Sequence, residues 1–159
     1  MRHVMLLAAA ASVGAICGCG GDEPLPDVAE QITLLQGADE DGQWAALKNL
    51  QWLGPQGAAA VEPLRALLRS TRDEDLRAEI AETLADIGTA AAAAAPDLVP
   101  LLDSQAAWTR ACAAEALGGM GAAGLPAWSK LANLTRDRDP DVAAAARKAL
   151  RRLQRLKKK

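Results

Sequence analysis

Phenylalanine and tyrosine are absent from the 159 residues, and the single histidine, His3, stands at the N-terminal end. Strands draw on β-branched and aromatic side chains, so their scarcity argues against a sandwich or barrel. One histidine removes most metal ligation and general-base chemistry. The three cysteines, Cys17, Cys19 and Cys112, offer no ligand cluster: two adjoin the N-terminal apolar run and the third lies far along the chain. What is abundant is alanine, with 37 residues, and leucine, with 23. Both are strong helix formers, and the composition reads as all-α. Half of the chain is apolar and 24% is charged, which is the balance of a globular domain. At this length one domain is the default. The net charge of -2 conceals an asymmetry. Arg147, Lys148, Arg151, Arg152, Arg155, Lys157, Lys158 and Lys159 crowd the last 13 positions, with no acid among them. Residues 20–146 carry nine basic and all 20 acidic side chains, a balance of -11.

Arg2 and His3 precede an apolar run over residues 4–16 that Ser12 and Gly14 interrupt. It is too short for a ~30 Å hydrocarbon core, which takes ~20 residues, and has the length and flanks of a secretory signal. The segment Ile16-Cys17-Gly18-Cys19 resembles the bacterial lipobox, with Ile16 at the aliphatic position, Gly18 at the small position and Cys19 as the modified thiol. Modification of Cys17 instead would place Ile16 where a small residue is required. The resemblance implies a lipoprotein signal peptide over residues 1–18 and an exported protein anchored to the bacterial cell envelope. The implied anchor is a diacylglyceryl thioether plus an N-acyl chain such as palmitate. Several alkyl chains hold a soluble domain where one would not, at ~0.8 kcal/mol per buried CH₂. By the same resemblance, Gly20 rather than Asp after the cysteine favours the outer membrane. Residues 19–26 read as a short flexible tether.

Beyond the tether the chain repeats itself. Leu50-Gln51-Trp52-Leu53-Gly54, Leu84-Ala85-Asp86-Ile87-Gly88, Leu117-Gly118-Gly119-Met120-Gly121 and Leu150-Arg151-Arg152-Leu153-Gln154 align at offsets of 34, 33 and 33. Trp44, Ala78, Ala111 and Ala144 stand six residues before each first leucine, while Leu64, Leu98 and Leu131 stand ten after each glycine. Each unit reads as two helices. The first runs from an acidic start (residues 39–41, 73–75 or 137–141) to the glycine, as the helix dipole and a left-handed closing residue favour. The second carries the leucine pairs behind Pro63 or Pro96, where a first-turn proline is tolerated. Pro126 comes earlier in its unit, and residues 90–95 read as a packed turn entering a helix. This pattern resembles the HEAT-like repeat family, including the short bacterial type of phycobilisome-lyase-like proteins. The matching features are the acidic start, Leu76-Arg77 or Thr109-Arg110, the Leu-x-x-[Ile/Leu/Met]-Gly column, and Val61-Glu62-Pro63-Leu64 or Ala95-Pro96-Asp97-Leu98. Tetratricopeptide repeats share the period, but their Trp, Tyr and Phe columns are missing. The resemblance implies a right-handed α-solenoid over residues 27–159: about three hairpins, an N-terminal helix from Asp27 to Gln36 as one cap, and a basic C-terminal helix as the other. It implies partner binding and carries no catalytic residues.

The alignment also sorts the tryptophans. Trp44 and Trp128 fall in apolar columns and are expected in the core. Trp52 and Trp108 fall in polar or small columns and are expected at least partly exposed, where tryptophan favours binding. The recurring carboxylates read as solvated helix caps, and Cys112 as a buried inert thiol. No catalytic residue, metal site, cofactor or small-molecule substrate is expected, since Ser70, Ser104 and Ser129 have no base and residues 118–121 lack the setting of a phosphate loop. The expected role is a protein-binding scaffold using the second helices of the hairpins, with Glu62, Arg65, Arg69, Asp97 and Lys130 as contacts beside Trp52 and Trp108. The alternative is a polyanion or anionic membrane held by the basic residues from Arg147 to Lys159, on a helix whose Leu150, Leu153 and Leu156 cover the last hairpin. The acidic body and the export signal disfavour nucleic acid.

Overall fold

Aspartates start the N-terminal helix and three of the four first helices, and glycines close the turns that follow the first helices. The computed structural model describes residues 25–37 and 39–157, the side chain of Lys157 excepted. The residue 1–18 segment, Cys19, most of the tether, Lys158 and Lys159 lie outside the described residues. Asp27, Asp39 and Asp73 accept backbone N–H groups at the starts of α1 (Val28–Gln36), α2 (Glu40–Leu53) and α4 (Glu74–Ile87). Asp139 does the same for α8 (Pro140–Lys157), accepting from the amides of Asp141 and Val142. These bonds satisfy donors that a helix start otherwise leaves orphaned. Among the helices that open each repeat the exception is α6 (Ala107–Gly119), preceded by Ala106, which has no side-chain acceptor. At the other ends Gly54, Gly88 and Gly121 take φ of +52°, +69° and +66°, a conformation that any Cβ would strain.

From each of these glycines the chain passes through a 3₁₀ segment, Gly54–Ala60, Gly88–Ala94 or Gly121–Ala127, before the second helix begins. Those helices are α3 (Val61–Ser70), α5 (Ala95–Leu98) and α7 (Trp128–Leu134). The short α5 continues as a 3₁₀ turn, Val99–Asp103. Pro100 lacks the N–H that an α-helix would send back to Pro96, which accounts for the change of winding. Residues 90–94 thus extend the turn in 3₁₀ form, and the helix itself starts at Ala95.

Two layers result, α2, α4, α6 and α8 packed in order in one and α1, α3, α5 and α7 in the other, where α7 meets the 3₁₀ turn that continues α5. Among the described residues there are no strands, and the chain is an all-α solenoid of three hairpins with a helix capping each end. The core lies between the layers. Leu50, Leu84 and Leu117 from one side meet Leu64, Leu98 and Leu131 from the other, all fully buried. Alanine and glycine let backbones close in. A Cβ on Gly118 would lie 2.6 Å from the Cα of Ala149, so α6 and α8 touch main chain to main chain there.

Three expectations need correction. Trp44 and Trp128 are only partly buried, packed against the core rather than inside it. The Trp44 column runs from buried at Ala78 to exposed at Ala144, so it is covered only where a neighbouring helix stands on either side. In α8, Leu153 is buried and Leu150 partly so, but Leu156 is 42% exposed because the helix outruns the hairpin it caps.

Two arginines one repeat apart tie successive hairpins together. Arg77 donates through Nε and Nη2 to the carbonyl of Thr71, and Arg110 through Nη1 to that of Ser104, six residues back in both cases. Arg110 also forms a buried, two-point ion pair with Asp137, at 2.8 and 2.9 Å.

Candidate protein-docking surface

The residues singled out from sequence divide between the two layers. On the second helices, Arg65 bridges Glu62 at 2.5 Å and Asp97 at 2.6 Å, while Arg69 grips both oxygens of Asp97 at 2.7 and 2.9 Å. Burial pushes the Asp97 carboxyl up, but the two guanidiniums, Arg69 and Arg65, outweigh it and hold the group below its usual range. Lys130 is paired with Asp103. These charges are spent on one another, joining α3 to α5 and one hairpin to the next.

The aromatic pair lies elsewhere. Trp52 is on α2 and Trp108 on α6, both in the first layer, 63% and 46% exposed. Trp108 lines a groove of about 520 Å³ across α4, α6 and α8. Glu82 and Asp86 of α4 form one wall, Ala111 and Cys112 the floor, and Lys148 and Arg151 of α8 the other wall.

A charge column crosses this face at the repeat spacing. Lys48, Glu82, Glu115 and Lys148 stand 34, 33 and 33 residues apart on α2, α4, α6 and α8. Lys148 pairs with Glu115 at 2.7 Å, and Lys48 with the buried Glu79 at 2.5 Å. Glu82 and Asp86 form no ion pair among the described residues. Burial pushes both carboxyls up, and neighbouring acids, Glu79 for Glu82 and Glu115 for Asp86, add to it. An external cation placed there would relieve that crowding. Arg151, Arg152 and Arg155 are exposed on α8, likewise with no ion pair among the described residues. The sequence reading passed over Glu82 and Glu115, although the alignment that exposed the glycines holds them four residues downstream of the Trp44 column.

Cys112 is 8% exposed, and burial, reinforced by Glu82 and Glu115, pushes its thiol up to about 12. A thiol held there carries almost no thiolate at neutral pH, so the groove floor has no nucleophile in it. Among the described residues no three His, Cys, Asp or Glu side chains gather as a metal site, and no helix is long and apolar enough to cross a membrane. The groove presents shape, charge and an indole.

A model of HEAT repeats matches residues 28–118, more than half of the chain. The chain belongs to the HEAT repeat family. This HEAT-repeat chain finds no match among curated proteins. Among solved structures it is similar to two engineered proteins, with TM-scores of 0.69 and 0.67 at 24% and 23% identity. Those matches cover 80% of this chain and 62% and 63% of the engineered ones. It is also similar to the complex of CpcE and CpcF of phycocyanin lyase from Nostoc sp. PCC7120, with a TM-score of 0.63 at 23% identity over 88% of this chain and 58% of that one. The HEAT-repeat chain thus spans about three fifths of the structures it resembles, and identities this low speak for the fold alone. That fold is a HEAT-repeat scaffold, an architecture typical of protein–protein interaction.

Proposed function

We propose that this HEAT-repeat chain is a non-enzymatic scaffold, exported and held at the bacterial cell envelope by a lipid on Cys19, which docks a protein on its first-layer face. The observation that carries the reading is the contrast between the two layers. Charges on the second helices are matched within the chain, whereas Trp108 stands exposed beside Glu82 and Asp86, which have no ion pair among the described residues. Interfaces draw their energy from such buried-on-binding aromatic anchors, and unpaired charge at the rim selects the partner. The docking face expected from sequence therefore moves from the second helices to the first. Glu62, Arg65, Arg69, Asp97 and Lys130 become struts of the scaffold.

The anchor rests on the lipobox resemblance of Ile16–Cys19. Cys19→Ser is expected to release the protein from the membrane fraction, and unchanged partition would refute the anchor. A photo-reactive residue at position 111 is expected to cross-link in cells, and one at position 66, exposed on α3, is not. Cross-links from 66 alone would refute the docking face.

A second reading is favoured by α8, where Arg151, Arg152 and Arg155 are exposed without ion pairs among the described residues. Near an anionic bilayer each such residue contributes ~1 kcal/mol, and Lys157, Lys158 and Lys159 would add to it. Arg147 and Lys148 contribute less, being engaged with the Thr135 carbonyl and Glu115. Salt-sensitive co-sedimentation with anionic vesicles would support this reading, and salt-independent binding would refute it.

A further inference from the structure

The groove is bipolar, and that narrows what it can hold. Its α4 wall carries Glu82 and Asp86 and its α8 wall Lys148 and Arg151, with Asp141 at one end of that wall, Arg152 exposed next to Arg151 on the same helix, and α6 between the walls. A uniformly basic segment would meet like charge on α8, and a uniformly acidic one would meet it on α4. The matching object shows the same pattern in reverse order. We infer that the first-layer face takes a second copy of this chain, in a twofold dimer whose axis runs parallel to α6. The inference rests on the reading of this face as the docking surface and names its occupant.

Repeat spacing supplies the geometry. Glu82, Glu115 and Lys148 occupy equivalent positions on α4, α6 and α8, and so do Asp86, Gly119 and Arg152 one turn further on. Both rows run from acid to base in the same direction across the face. Rotation by half a turn about an axis along α6 keeps each level and exchanges the walls, so α4 of one copy faces α8 of the other. Glu82 then meets Lys148 of the partner subunit, Asp86 meets the partner's Arg152, and symmetry repeats both pairs. In the middle of the second row Gly119 adds no side chain of its own, and the space where a Cβ would stand lies 3.6 Å from the Ala85 carbonyl oxygen and 4.0 Å from Nη1 of the same chain's Arg152. In the first row Glu115 faces its own copy, and each Lys148, 2.7 Å from Glu115, is shared between that carboxylate and the partner's Glu82, so the second row carries the unshared pairs. Trp108 meets the partner's Trp108 across the axis, where two indoles exposed in the single chain can cover each other. Asp75 and Asp141, level with Trp108, come opposite one another and oppose association. Both are exposed, so salt and water screen that repulsion.

The test is sedimentation equilibrium of the full chain in mild detergent. The wild type is expected at twice the mass of its own single chain, with dissociation favoured by salt. Asp86→Arg and Arg152→Asp, each of which sets like charges at positions 86 and 152 against one another twice in a homodimer, are expected to weaken association roughly 100-fold, tenfold per pair. Mixed one to one, the two variants recover every pair and are expected to dimerise as the wild type does. Asp141→Asn is expected to tighten the dimer. Unchanged helicity by circular dichroism keeps the variants comparable, since all three positions are exposed. A wild type that stays monomeric, single variants that dimerise normally, or a mixture that fails to recover would each overturn the inference. The photo-adduct from position 111 separates this outcome from failure of the docking face. An adduct of two chains supports the dimer, and one of another mass overturns it while leaving the face as a docking surface.

Discussion

Replacing Ala106 with Asp is expected to stabilise the protein, and the amount follows from three neighbours. Asp39, Asp73, Ala106 and Asp139 occupy one repeat column, at offsets of 34, 33 and 33. The three aspartates accept helix-start amides at 3.1 Å, at 2.8 and 3.2 Å, and at 2.9 and 3.2 Å. Ala106 already has the backbone that the role requires, with φ -74° and ψ 122° against -74° and 119° at Asp73. Only the acceptor is missing. A capping side chain in place of alanine contributes ~1 kcal/mol, with a few tenths more from a carboxylate at the positive end of the dipole. Against this stands Glu74, whose carboxylate accepts from Ser104 two residues away, but Arg110 bonds the Ser104 and Gln105 carbonyls and supplies the opposite charge. A net gain of ~1 kcal/mol corresponds to ~3 °C in Tm for a domain of this size. Thermal unfolding followed by circular dichroism is the assay, with Asp73→Ala as the mirror experiment expected to lose a similar amount. If Asp73→Ala lowers Tm while Ala106→Asp leaves it unchanged or lowers it, the equivalence of the four helix starts is wrong.

Other expectations follow from packing and charge. Leu84→Ala or Leu117→Ala should cost ~2–5 kcal/mol in chemical denaturation, and Trp52→Ala should cost much less than Trp44→Ala; equal losses for the two tryptophans would break the alignment. Gly118→Ala should destabilise by ~1–3 kcal/mol although alanine is the better helix former, because the new methyl group meets the backbone of Ala149; a stabilised variant would show that α6 and α8 are not in contact there. Asp137 is held below its usual range, first by its bond from Arg110 and then by the amide of Asp139. Its contribution is therefore complete above the ordinary carboxylate value of about 4 and is lost as pH falls through the lower folded value. Arg110→Ala should destabilise at neutral pH and flatten this part of the acid profile; an unchanged acid slope would count against the pair.

The solenoid was legible in the sequence because its constraints recur. Only glycine tolerates the φ of Gly54, Gly88 and Gly121, and only large apolar side chains fill the positions of Leu84 and Leu98, so both columns stand out against differing local sequence. The site was less legible, since it depends on which faces the layers turn outward. Arg65 and Asp97 lie 32 residues apart, and their pairing follows from α3 standing beside α5 rather than from any local pattern. Taken singly, Glu82 and Glu115 read as ordinary solvated carboxylates. They acquire meaning only with Lys48 and Lys148 in the same column, once the first layer is known to be contiguous. The winding change at Pro100 and the overhang of Leu156 reflect local hydrogen bonding and chain ends, which a periodic alignment averages away.

Hydroxyl-radical footprinting of the protein in cells, compared with the purified chain diluted in high salt so that any copies separate, tests the docking face most directly. Indole oxidation reports on Trp108 and Trp52 separately, and both rings are open in the isolated chain. The expected result is strong protection of Trp108 in cells, with exposed residues of α3 labelled equally in both samples. Equal oxidation of Trp108 in the two samples, accompanied by protection along α3, would contradict the account and return the interface to the second helices.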